Sequence, residues 1–210
     1  MPSRKPRLSL RKQPQQSRST GLVATVLEAA IKVLEKEGVQ RFTIARVAEK
    51  AGVSVGSVYQ YFPNKAAIVF RLQCDEWRQT TELLRGILED DSQPPLERLR
   101  ILVHTFVRSE CDEAKMRVAL NDAAPLYRDA PEAHEAKASM DGAVDAFMRK
   151  ALPRASAATR ELAGGLIVTS LSTVGKDFSE SPRTRTEVKV YADAMADMFC
   201  AYLRSLDTAA

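Results

Sequence analysis

The chain has 210 residues, 45% of them hydrophobic and 28% charged, which suits one ordinary globular domain or two small ones and excludes a disordered, collagenous or disulfide-scaffold protein. No apolar run approaches the roughly 18 to 20 residues that span a bilayer, and the basic N-terminus lacks the apolar core of a signal peptide, so no membrane partner and a cytoplasmic location are expected. The net charge of +4 is unevenly divided: residues 1–72 hold 13 Lys and Arg against 4 Asp and Glu, a balance of +9, whereas residues 73–210 hold 18 against 23, a balance of −5. Such asymmetry points to an N-terminal part that faces a polyanion and a larger part that faces something else.

Residues 1–19 carry Arg4, Lys5, Arg7, Arg11, Lys12 and Arg18 with no acidic residue and no hydrophobic period, which predicts a flexible basic arm. It is either a DNA contact or a solubilising tail. From Thr20, apolar residues at Val23, Leu27, Ala30, Ile31 and Leu34 lay one stripe along a helix that Gly38 ends. Thr43 then caps a short helix through Ile44, Val47, Ala48 and Ala51, stopped by Gly52, and Ser54 caps another through Val55, Val58, Tyr59 and Phe62. Pro63 and Asn64 break that segment and start a longer helix toward Asp91.

Stop signals divide the rest into helix-sized pieces. Pro94 and Pro95 precede one, Asp112 opens a second that ends at Pro125, and Pro131 to Pro153 bracket a third. Ser156 opens a fourth, and the capping box of Thr184 with Glu187 opens the last. No run alternates with period two, so the fold class is all-α, with about nine helices and no internal repeat. Cys74, Cys111 and Cys200 are odd in number and share no CxxC, which predicts reduced thiols that serve mainly in packing.

The strongest chemical signal is residues 42–62, two short helices joined by a Gly-containing turn in the manner of a helix-turn-helix, whose second helix enters the DNA major groove. Gly52 can take the left-handed conformation that ends the first helix, Ser54 caps the reader, and Gly56 and Ser57 keep its first turn slim enough for close approach to bases and phosphates. Tyr59 and Tyr61 carry hydroxyls able to reach phosphate or base edges, Thr43 sits where a helix N-terminus can hold a phosphate, and Lys65 adds a point charge. Val55 and Gln60 complete the candidate DNA surface, while Arg46 and Lys50 are either phosphate contacts or the solvated face of the bracing helix.

Residues 21–72, and most specifically Ala51-Gly52-Val53-Ser54, Gly56-Ser57 and Tyr59-x-Tyr61-Phe62-x-Asn64-Lys65, resemble the DNA-binding domain of the TetR family of transcriptional regulators. The resemblance implies a homodimer in which a three-helix DNA-binding domain, residues 20–66, is followed by a helical ligand-binding and dimerisation domain, residues 67–210, with a long fourth helix between. It also implies a double-stranded DNA operator as partner, contacts to it from Thr43, Ser54, Ser57, Tyr59, Tyr61 and Lys65, and repression relieved by a small-molecule effector. A helix-turn-helix protein without a small-molecule effector, constitutive or governed by a protein partner, is the alternative.

In the C-terminal part, His104, Asn121, Tyr127 and Thr169 are polar groups inside otherwise apolar stripes, and Phe106, Met116, Leu120, Met140, Val144 and Phe147 are candidates for an apolar pocket wall around them. Ordinary core is the competing reading of each. No metal site is expected, since His104, Cys111 and His134 lack ligand spacing, and no cofactor either. With only two His, no Gly-rich phosphate loop and no nucleophile elbow, no enzymatic activity is expected. Ile167, Leu171 and Val174, with Tyr191, Met195, Met198, Phe199 and Tyr202, form stripes that either pack against a second chain as a four-helix interface or complete the monomer's own core.

Overall fold

In the computed structural model, which describes Leu8, residues 17–123 and residues 131–208, nine helices and no strands are present among the described residues. They are α1 (Ser17–Arg41), α2 (Ile44–Ala51), α3 (Val55–Tyr59), α4 (Lys65–Glu89), α5 (Pro95–Asp112), α6 (Ala114–Ala123), α7 (Pro131–Ala151), α8 (Ala157–Ser179) and α9 (Arg185–Thr208). The all-α expectation holds, and most boundaries follow the capping residues. Thr43 Oγ1 accepts from the Arg46 amide at 3.3 Å, Ser54 Oγ from Ser57 at 3.0 Å, and Ser156 Oγ from Thr159 at 3.1 Å, each satisfying a donor that the first helical turn leaves unpaired. At α9 the capping box is reciprocal: the Glu187 amide donates to Thr184 Oγ1 at 3.2 Å while Glu187 Oε2 accepts from the Thr184 amide at 2.7 Å.

Three helix ends differ from the sequence reading. The first helix begins at Ser17 rather than Thr20 and continues to Arg41 past a break at Gly38, whose φ of 70° and ψ of 172° are not helical. The reader α3 stops at Tyr59, and Gln60 to Phe62 follow as a turn in which the Phe62 amide donates to the Val58 carbonyl at 2.9 Å. Most of the basic arm lies outside the described residues.

The chain divides into two compact units, Met1–Trp77 with Lys115–Ala133, and Arg78–Ala114 with His134–Ala210. The first is centred on Val26, Ala30 and Leu34 of α1, Val47 and Ala48 of α2, Val58 of α3, and Phe42 and Phe62 beside them, all fully or almost fully buried. Burying each Val, Leu or Phe side chain among these stabilises by about 1.5 to 3 kcal/mol. Ile68, Val69 and Leu72 of α4 and Leu120 of α6 join the same core, and Arg117 of α6 pairs with Glu76 of α4 at 3.2 Å. The first unit therefore holds more chain than residues 20–66.

The second unit is built from the remainder of α4 with α5, α7, α8 and α9, where α5 packs on both α8 and α9. Leu99, Val103 and Val107 of α5 meet Phe147 and Met148 of α7, Ala163, Ile167 and Leu171 of α8, and Met195, Phe199 and Leu203 of α9. Ile167, Leu171, Met195 and Phe199 thus complete this chain's own core, the second of the two alternatives for those stripes. Arg98 is a buried cation whose charge is met three ways: Nη1 donates to the Leu88 carbonyl at 2.7 Å and to Asp91 Oδ1 at 2.9 Å, and its guanidinium lies 5.6 Å from the Phe147 ring centroid. Among the described residues, no helix is long and apolar enough to cross a membrane.

Candidate nucleic-acid interface

The bracing helix and the reader are fastened to each other by short-range chemistry. Gly52 has φ 68° and ψ 29°, a left-handed conformation that costs a side-chain-bearing residue energy, and its amide donates back to the Glu49 carbonyl at 3.1 Å to end α2. Two residues later Ser54 starts α3. Its hydroxyl accepts from the Ser57 amide and lies 2.8 Å from Ser57 Oγ, so one of the two hydroxyls donates to the other at the mouth of the helix. Val58 points inward with no exposed surface, which leaves Val55, Gly56, Tyr59 and Gln60 on the outward face and Ser57 half-buried.

That outward face is small, slim and chemically mixed. A Cβ added to Gly56 would meet only Ser54 Oγ, at 3.7 Å, so nothing in the protein's own packing demands glycine there. The missing side chain instead opens the reader's first turn to whatever approaches from outside. Val55 and Tyr59 are each 41% exposed although large and hydrophobic or aromatic, an arrangement that suits apolar contact with a thymine methyl and a phenol hydroxyl on phosphate or a base edge. Lys65 is exposed at the first position of α4, where Asn64 Oδ1 accepts from the Ala67 amide at 2.9 Å, and Thr43 is exposed at the N-cap of α2. An exposed cation and two exposed helix N-termini, those of α2 and α4, provide donors and positive potential for phosphates.

One expectation changes. Tyr61 is only 8% exposed and packs into the first core, because the turn after Tyr59 carries it behind the reader; Tyr59 is the tyrosine this surface presents. Arg46 forms an ion pair with Glu37 of α1, so its charge is already engaged within the fold. Lys50 remains exposed.

The expected pocket residues are dispersed. Met116 and Leu120 belong to the first core, Leu120 with 2% of its surface exposed, whereas Phe106, Met140, Val144 and Phe147 pack on the second, so these six do not form one apolar wall within either unit. The apolar stripe on α6 does not by itself specify which core it meets. Thr169 is exposed on α8, beside Asp141, Val144 and Asp145 of α7 at a groove of about 600 Å³. His104 faces a different cleft, on α5, with Nε2 3.0 Å from Asp193 Oδ1 of α9. Tyr127, and the side chain of Asn121, lie outside the described residues.

Comparison with known proteins agrees with this organisation. Residues 26–72 match the family described as bacterial regulatory proteins, tetR family, and residues 94–206 match the tetracyclin repressor-like C-terminal domain. The HTH-type transcriptional regulator TtgR of Pseudomonas putida is 36% identical over 97 residues, 45% of this chain and 46% of that protein. The HTH-type transcriptional repressor KstR of Rhodococcus jostii is 27% identical over 110 residues, 52% and 50% of the two chains. The chain thus spans about half the length of the curated relatives it matches. Among solved structures, the TetR family regulator PfmR of Thermus thermophilus superposes with a TM-score of 0.68 at 18% identity, over 84% of this chain and 97% of that one. The fatty acid degradation regulator FadR of Bacillus halodurans gives 0.66 at 16%, over 90% and 96%. A conserved fold at such identity, with family matches over both the reader and the C-terminal helices, places this chain in the TetR family of transcriptional regulators.

Proposed function

We propose that the protein is a homodimeric operator-binding regulator, a repressor released from DNA by a small-molecule effector. The observation that carries the DNA reading is the outward face of α3, where Val55, Gly56, Tyr59 and Gln60 stand clear while Val58 anchors the helix from behind. In this reading Val55 and Gln60 read base edges, Ser54, Ser57 and Tyr59 hold phosphates or bases, and Thr43 and Lys65 position the backbone on either side. Tyr61 supports the reader rather than touching DNA.

The dimer reading rests on apolar residues that α8 and α9 leave outside the core. Leu162 is 68% exposed and Met198 56%, with Leu166, Val174 and Val190 also open. Burying these against a second copy removes apolar surface from water, and two-fold symmetry would place two readers on half-sites about 34 to 36 Å apart. For the effector, Phe106, Met140, Val144 and Phe147 remain the candidate apolar contacts. The regulator without a small-molecule effector has an observation in its favour: Phe147 is 2% exposed and packed like ordinary core.

Fluorescence anisotropy on DNA from upstream of the protein's own gene tests the proposal. The expected result is tighter binding to that DNA than to shuffled sequence, with log affinity falling linearly in log salt at about −0.9 per phosphate neutralised. Equal affinity for both sequences sinks it. Light scattering on the free protein decides the dimer, and Leu166→Glu is expected to shift it to monomer.

A further inference from the structure

The second unit carries a cationic cleft of about 590 Å³ that the operator reading does not use. Its walls come from one face of α5, where His104, Arg108 and Cys111 recur at helical spacing, and from the first turns of α9, where Arg185 and Lys189 are four residues apart. Arg183, in the connection between α8 and α9, closes one side, and Asp112 is the carboxylate in the lining.

What distinguishes this cleft from a solvated surface is how its charges are held. Arg183 Nε donates to the Phe178 carbonyl at 2.9 Å and its guanidinium lies 4.5 Å from the Phe178 ring centroid, a ring itself stacked on Tyr191 at 3.9 Å. Both of these partners are neutral, so the guanidinium is oriented with only a weak attraction from Glu187 set against its charge, and its Nη donors take no hydrogen-bond partner among the described residues. Arg108 and Arg185 are exposed and form no ion pair among the described residues. Lys189, by contrast, is matched by Asp193 at 2.7 Å. Nor does helix stability explain Arg185, since the N-terminus is the positive end of the helix dipole and disfavours a cation. Three guanidiniums with unspent donors therefore converge on one concavity, the geometry that grips planar or tetrahedral oxyanions through paired N–H donors.

We propose that this cleft binds a small polyanion bearing carboxylate or phosphate groups, through Arg108, Arg183 and Arg185. The site is concave and small, which suits a metabolite-sized molecule better than an extended polymer. It goes beyond the operator reading and stands or falls independently of it.

Cys111 provides a local reporter. It lines the cleft and is partly exposed, while Cys74 is a partly exposed thiol in the first unit and serves as internal reference. The experiment follows iodoacetamide alkylation of both thiols in the full chain by mass spectrometry, with inorganic pyrophosphate or citrate compared against chloride at matched ionic strength. Saturable slowing at Cys111 alone is expected, by a factor of 1 + [L]/Kd, about elevenfold at ten times Kd. Arg108→Ala with Arg185→Ala is expected to abolish that protection while leaving the thermal midpoint and operator affinity unchanged, since neither side chain is tied into the fold. Protection by pyrophosphate but not citrate would narrow the ligand to phosphate chemistry, and the reverse to carboxylates. The proposal is overturned by no protection, by equal slowing at Cys74, by protection that survives the double variant, or by a double variant that loses operator affinity, which would make the cleft a DNA contact instead.

Discussion

The reader and the second unit differ in the sequence distance over which they are defined. In α2 and α3 each defining polar contact closes within a few residues: Thr43 with Arg46, Gly52 with Glu49, Ser54 with Ser57. In the second unit Lys150 reaches Asp91 across 59 residues, Arg154 reaches Asp207 across 53, Arg100 reaches Asp197 across 97, and the Cys200 thiol donates to the Leu96 carbonyl across 104. A local motif can be recognised wherever it occurs, because its geometry needs only its own residues. A bundle held by distant pairs has no such signature, so its surfaces can diverge while the fold persists.

Core truncation is the strongest way to break that comparison. Phe147→Ala should cost about 3 to 5 kcal/mol and Leu120→Ala about 2 to 5, read from urea midpoints. Their locations should differ more than their sizes. Amide exchange should accelerate in α1 to α3 for Leu120→Ala and in α5, α8 and α9 for Phe147→Ala, following the core to which each belongs. Exchange that quickens in the other unit would show that the division into two cores is wrong.

Next in size is an effect on DNA that leaves stability alone. Tyr59→Phe removes a hydroxyl from an exposed position and is expected to weaken operator binding by about 1 kcal/mol, roughly fivefold, without moving the thermal midpoint. Lys65→Ala should reduce the steepness of the salt dependence by about one phosphate equivalent while affecting all DNA sequences alike. Tyr61→Ala should do the opposite of Tyr59→Phe, perturbing stability before sequence preference, because it removes a ring that lies in the core.

Legibility in the sequence tracked the range of the interactions. The nine helices were readable because Pro, Gly and the capping residues act locally, and Thr43, Ser54, Ser156 and Thr184 all cap as their types require. The outward exposure of Val55, Gly56, Tyr59 and Gln60 follows from the same local signals, whereas Tyr61 departs from them: nothing in Tyr59-Gln60-Tyr61 says that the helix ends between the two rings and turns the second inward. The pocket residues were not readable as a group. Met116 and Leu120 have the same apolar pattern whichever core they join, and the cationic cleft joins residues some 80 positions apart on α5 and α9, with no motif in either.

Capping sets the next prediction. Ser54→Ala deletes the acceptor of the Ser57 amide and should cost about 1 kcal/mol of stability, with a further loss of DNA affinity because Ser57 Oγ loses its partner as well. Ser156→Ala removes the corresponding acceptor in the second unit and should cost about the same while sparing DNA binding. Equal DNA effects from the two would mean that Ser54 serves the reader only through global stability.

The smallest effect expected is also the one with a defined pH window. Hydrogen bonds from the Thr184 amide and hydroxyl stabilise ionised Glu187, holding its carboxyl below the usual range, with Arg183 adding a weaker attraction. A carboxyl whose folded-state pKa is depressed contributes stability that is fully present above its unfolded value, about 4.3, and is lost as the pH falls through the folded value. Glu187→Gln keeps an oxygen acceptor for Thr184 but not the charge. The variant should therefore be slightly less stable than the parent at pH 7, and the gap should close as both are acidified through pH 4 toward pH 3, because protonation removes from the parent what the substitution already removed from the variant. Because the carboxylate is solvent-exposed, the difference should shrink in high salt. A gap in urea midpoint that persists unchanged at pH 3 would show that Gln fails as a cap for geometric reasons, and that the charge of Glu187 contributes nothing to α9.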